Sequence, residues 1–402
     1  MLSELTLRYA EELTEALLGL DAIYAAERGK QASGAEVDMD RLVVLNLSDH
    51  HRAKAFSGYP DARARFEELK RQSAELPEPD RALYYAQTCG SAIAFATWCE
   101  EGLPFKRQIS EFLHIPARPA SESELDGLRA SMREMLVELG YHGDLGAQMA
   151  AWEDRQRVPA DEVEGVLNEI LSEAWDLTAG RMEIPAEKSD GMRVETVSAV
   201  PYNAMCDYSR RLIRLNIDPT LTRPGLRHLA VHEGYPGHYV QFKRREVRYR
   251  EGLAPADVLL SVINTASSPS FEGIADVGLN VIGWHSEPDD RLAAFLTRYR
   301  AGLGTRAAWR LHAEDASQET VRDELLRDSL VGGEGWVDAR MRYITGQTRS
   351  ALIWSYWAGK PGVHPVWKRV KDRPELRGAY FSYVYDRMHS NDSIAMFREM
   401  DA

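Results

Sequence analysis

The chain has 402 residues, 44% hydrophobic and 28% charged, with a formal net charge of −13. That is enough apolar material for a large core, and the wrong sign for a nucleic-acid footprint, which needs clustered Lys and Arg. Three scattered cysteines, none in a Cys-x-x-Cys pair, exclude a disulfide framework. No basic start precedes a pure apolar run in Met1–Leu20, which carries Glu4, Glu11, Glu12 and Glu15, and no stretch has the apolar length of a membrane span. The expectation is a cytoplasmic protein with no nucleic-acid or membrane partner.

Taken in chain order, most segments predict helix. Leu5, Ala10, Leu13, Ala16, Leu17, Leu20, Ile23 and Tyr24 follow the three-four spacing of an amphipathic helix. His50 and His51 come next; adjacent side chains diverge, so the pair reads as a solvated loop. Further periodic stretches run near Ala62–Leu76, Glu78–Cys99, Ser121–Leu139 and Ala160–Leu177, rich in Ala, Leu, Glu and Arg. Breaks are predicted at Gly102-Leu103-Pro104, Ile115–Pro119, Gly140–Gly146 and Val158-Pro159. Gly191–Val197 and Arg211–Ile217 alternate instead and predict short strands. Their edge either pairs with an extended peptide or simply covers the core. A helix then starts around Arg223-Pro224-Gly225, since Pro fits a first turn. Helical spacing returns at Asp290–Leu303, Gln318–Leu330, Asp338–Trp357 and Arg377–Met388, with a break expected at Lys360-Pro361-Gly362. The fold class predicted is mainly α, with a small antiparallel sheet beside the helix that starts near Arg223. Residues 1–185 form a helical scaffold and 186–402 the region with the strands, either as two parts or as one core around a cleft.

The chemistry concentrates in Val231-His232-Glu233-Gly234-Tyr235-Pro236-Gly237-His238-Tyr239-Val240-Gln241, followed by Ser270-Phe271-Glu272-Gly273-Ile274-Ala275-Asp276. Two His, a Glu beside the first and a downstream Glu are the parts of a catalytic zinc site. Zinc proteases space the two His four apart, whereas the gap here is six, which on a regular helix leaves them roughly 120° out of alignment. Pro236 lacks an N–H and Gly237 tolerates unusual backbone angles, so a bulged or broken turn is expected to swing His238 back beside His232. The expected ligands are His232, His238 and Glu272, around one Zn²⁺ or another divalent transition metal per chain. Glu233 is expected as the general base toward the zinc-activated water. Asp276, one helical turn after Glu272, is expected to hold a ligand His by its other nitrogen.

These residues resemble the bacterial family known as domain of unknown function 885, whose hallmark is a His-Glu-x-Tyr-Pro-Gly-His segment ending in Gln; His232, Glu233, Tyr235, Pro236, Gly237, His238 and Gln241 match it. Phe271-Glu272-Gly273 resembles the family's Glu-Gly segment and Tyr343-Ile344-Thr345-Gly346-Gln347 its Tyr-x-x-Gly-Gln segment, so the likeness covers roughly the C-terminal half. The chain departs from the pattern at Ile274-Ala275-Asp276-Val277, where the family usually has Trp-Ala-x-Tyr, and at Tyr239, where a further His is common. The Glu-x-x-x-Asp spacing also resembles the third-ligand helix of gluzincin proteases. The resemblance implies a helical metallopeptidase-like fold and a zinc peptidase acting on short peptides.

Tyr343, which matches the family segment, is the candidate oxyanion donor. For substrate contact, Arg342, Arg349, Arg387 and His389 are candidates, with Glu334 for a free amine; Tyr380, Tyr383 and Tyr385 read mostly as core. Two alternatives stay open: a metal-dependent amidase or esterase on a non-peptide substrate, and a metal-stabilised binding protein without catalysis. Phosphate-binding Gly-Lys, dinucleotide and Gly-x-Ser-x-Gly motifs are absent from the sequence.

Overall fold

The computed structural model describes residues 2–28 and 41–398. Helices dominate, from Glu4–Glu27 to Asn391–Ile394. Among the described residues five short strands punctuate them: β1 (Val43–Asn46), β2 (Arg193–Val197), β3 (Ala204–Asp207), β4 (Leu212–Asn216) and β5 (Leu260–Val262). Among the described residues no helix is long and apolar enough to cross a membrane.

The chain divides into two compact units, each assembled from separated stretches. The first comprises Met1–Ala117, Gln241–Ile274 and Ala358–Ala402; the second comprises Arg118–Val240 and Ala275–Trp357, so that residue 185 lies inside it.

In the first unit the Glu4–Glu27 helix is capped by Ser3, whose hydroxyl accepts from the Thr6 amide, and its stripe of Leu13, Ala16, Leu17, Leu20 and Tyr24 is buried. The Tyr59–Gln72 and Pro79–Glu101 helices pack on one another. β1 and β5 pair antiparallel, and the buried Asp21 carboxylate accepts from the Leu42 and Val43 amides at 3.1 and 3.0 Å, tying β1 to the first helix.

In the second unit the Glu122–Glu138 helix opens with a capping box of Ser121 and Glu124 and packs on the long Pro288–Ala313 helix. The sheet expected from the alternating segments is present in the order β2-β4-β3. β3 and β4 form an antiparallel hairpin, while β2 adds to the far side of β4 in parallel, which makes the sheet mixed. β3 lacks the alternating apolar pattern that marked its neighbours; β4 supplies the pairing that makes it a strand.

The break expected at Lys360-Pro361-Gly362 does not occur: the Ile353–Val370 helix runs through Pro361 and Pro365. Pro361 cannot bond the carbonyl one turn back, at Trp357. The Arg298 guanidinium donates to that carbonyl from the Pro288–Ala313 helix and stacks on the Trp357 ring, 3.6 Å from its centroid. A side chain from another helix thus compensates the bond that proline removes.

Candidate metal centre

The motif folds as two helices joined by an irregular turn. Thr222 caps the first, Arg223–Leu229, by accepting from the Gly225 amide, and Pro224 sits in its opening turn. The coil then widens into a π turn over Ala230–Gly234, where the Tyr235 amide reaches back to the Ala230 carbonyl at 3.1 Å. Tyr235 is extended and His238 begins a new helix running to Arg250. The backbone folds so tightly here that a Cβ on Gly237 would collide with the carbonyl oxygens of His232 and Val231. The result is a contact no regular helix could make: the His232 and His238 rings lie edge to face, with centroids 4.6 Å apart.

The Ser267–Ile282 helix supplies the carboxylates. It approaches the turn closely because Gly278 faces Val231 and Pro236; a Cβ there would sit 2.6 Å from Val231 Cγ1. Asp276 Oδ1 lies 3.0 Å from His232 Nδ1 and 3.5 Å from His228 Nε2. Burial disfavours the Asp276 anion, but hydrogen bonds from His228 and His232, and their charge, outweigh it and hold the carboxyl far below the usual range. The His228 and His232 rings stack at 21°, with centroids 6.0 Å apart.

Ligand atoms of His228, His232 and Asp276, all in the second unit, lie within 4.8 Å of one another, and His238 meets His232 beside them. Two imidazoles and one carboxylate are the donor set of an open catalytic zinc site, and a carboxylate on the far nitrogen of a ligand imidazole is its usual support. The residues present therefore fit the ion. His228 is the member that the motif alone did not reveal. Its signal was available, since it stands four residues before His232, the spacing that puts two side chains on one helical face.

Glu233 is buried on the π turn beside His232. Burial pushes the Cys206 thiol on β3 upward, and the Glu233 and Asp207 carboxylates push it the same way. Tyr239, at the position where the resembled family often has His, sends its hydroxyl to the Asp190 carbonyl at 3.1 Å. Gln241 donates to the Phe271 carbonyl at 3.2 Å.

The remaining candidates lie in other surroundings. Tyr343 is buried, and its hydroxyl lies 3.4 Å from that of Tyr356. Arg342 is exposed on the same helix. The Arg349 guanidinium lies over the Tyr343 ring, while Arg387 lies 3.7 Å from Asp80 and Glu334 lies 3.5 Å from Arg322. His389, expected as a substrate contact, is instead sealed inside the first unit at 1% exposure. Its Nε2 donates to the Tyr383 carbonyl at 2.7 Å and its Nδ1 faces Arg81 at 3.0 Å, so both ring nitrogens are engaged in packing.

No family model matches the chain, and no curated protein does. Solved structures of similar fold include a presumed lipoprotein from Colwellia psychrerythraea, 15% identical, with a TM-score of 0.52 over 85% of this chain and 59% of that one. Another is a presumed lipoprotein of unknown function from Shewanella oneidensis, also 15% identical, with a TM-score of 0.51 over 84% of this chain and 70% of that one. At this identity the likeness is one of fold. The present chain spans 59% of the length of the Colwellia protein.

Proposed function

We propose that this chain is a zinc-dependent hydrolase that cleaves short peptides. The observation that carries the reading is the meeting of the His232 and His238 rings while Asp276 takes the Nδ1 side of His232. That hydrogen bond would fix the tautomer and leave Nε2 for the ion. His232, His238 and Glu272 would hold the zinc, which when bound polarises a carbonyl and acidifies a water. Glu233, held beside His232 by the π turn, takes the proton from the attacking water and returns it to the departing amine.

Elemental analysis of the purified protein tests the ion: one equivalent per chain is expected, lost in His232→Ala. Loss in His228→Ala with retention in His238→Ala would move the ion to His228, His232 and Asp276. Glu233→Gln is expected to keep the metal and lower turnover about 10²–10⁴-fold; an unchanged rate would refute the role of Glu233. A panel of short peptides set against small amides and esters separates peptidase action from the amidase or esterase alternative. Tight metal binding with no turnover on any member of the panel would favour the non-catalytic binding protein.

A further inference from the structure

In the second unit glycines leave room for the guanidiniums of Arg300 and Arg349, and Arg340 stands in ordinary contact with a third. A Cβ on Gly332, itself at φ +90°, would strike the Arg300 guanidinium; one on Gly346 would come within 2.9 Å of Arg349 Nε; one on Gly304 would sit 3.5 Å from Arg340 Cδ. Arg300 and Arg340 both lie over the Trp336 ring, 4.8 and 5.6 Å from its centroid. Arg340 and Arg349 both lie over Tyr343, at 5.7 and 5.9 Å. The Tyr343 and Tyr356 hydroxyls meet at 3.4 Å beside them.

The charges do not balance inside this cluster. Arg300 donates to the Val331 carbonyl and feels the Glu153 carboxylate, but it also feels the positive charge of Arg340. Arg340 is half-buried, its Nε has no partner, and among the described residues it makes neither a hydrogen bond nor an ion pair. Burial draws its pKa down. Aromatic faces attract a guanidinium but offer its buried Nε–H no strong acceptor. A forked donor with two hydroxyls nearby suits a planar carboxylate or a phosphate.

We propose that Arg340, with Arg300 and the Tyr343–Tyr356 hydroxyl pair, forms a binding site for a single oxyanion group, a carboxylate or a phosphate. The site does not depend on the metal. Calorimetric titration of the full chain at low ionic strength, with inorganic phosphate in one arm and N-acetylglycine in the other, tests it. Saturable binding is expected in at least one arm, and the arm that binds identifies the source: a free phosphate, or the terminal carboxylate of a peptide-like ligand. Arg340→Gln is expected to weaken it about tenfold or more. Arg327→Gln, exposed and paired with Asp328, is expected to leave it unchanged, and His232→Ala to retain it. Binding in neither arm, wild-type affinity in Arg340→Gln, or loss of binding in His232→Ala would overturn the proposal. Arg340→Met, which keeps the apolar stem, guards against misfolding: if neither Arg340 variant folds, the residue serves packing and the proposal fails.

Discussion

Each unit buries histidines beside a charge, and the two cases are opposites. In the second unit His228 and His232 share the Asp276 carboxylate. An anion at the far nitrogen makes an imidazole a better donor to a cation. In the first unit His389 faces the Arg81 guanidinium, which is fully buried and also donates to the Met388 carbonyl at 2.6 Å. Burial, reinforced by Arg81, keeps His389 well below the ordinary histidine range, and the Tyr383 carbonyl opposes this only in part. Burial is common to both, so it does not decide which histidine can serve a metal. The sign of the partner charge does.

The largest break in this contrast comes from the backbone. Gly237→Ala forces a methyl group into the His232 carbonyl. It is expected to separate His232 from His238, abolish metal uptake and destabilise the chain by about 3 kcal/mol or more, as overpacking at a tight turn does. Metal analysis and thermal unfolding check both, and the Arg81–His389 cluster is expected to stay intact. A smaller effect follows from Asp276→Asn. The shape survives but the anion behind His232 is lost, so metal affinity is expected to fall about 10–100-fold, measured by competition with a chelator. Equal affinity would show that the partner charge is irrelevant.

The smallest effect is on pH dependence. His389 is neutral when folded, whereas in the unfolded chain it takes a proton near pH ~6.5. Its contribution to stability is therefore present above that value and lost as pH falls below it, by up to about 1.4 kcal/mol per pH unit. Denaturant titrations between pH 7 and 5 are expected to show a shallower loss in His389→Gln, with the metal content of both proteins equal.

Much of this was legible in the chain itself. Three-four periodicity located the helices, because a stripe that must be buried has to recur with the helical turn. The alternating runs located β2 and β4 for the corresponding reason. Pro236 and Gly237 announced an irregular turn between two histidines. The continuation of the Ile353–Val370 helix through two prolines was not legible, because the group that satisfies the Trp357 carbonyl is Arg298, distant in sequence. His389 misled for a similar reason: its neighbours in sequence do not announce its burial, and only the fold shows Arg81 against it.

By itself, the sequence determined a helical protein and the residue types of a candidate metal site, since local propensity, periodicity and donor chemistry are properties of neighbouring residues. The tertiary structure decided which histidines share a carboxylate, and that Arg300 joins Arg340 over the Trp336 ring. Both depend on close approach between helices far apart in the chain. The glycines that permit this approach carry no side-chain chemistry of their own to announce it.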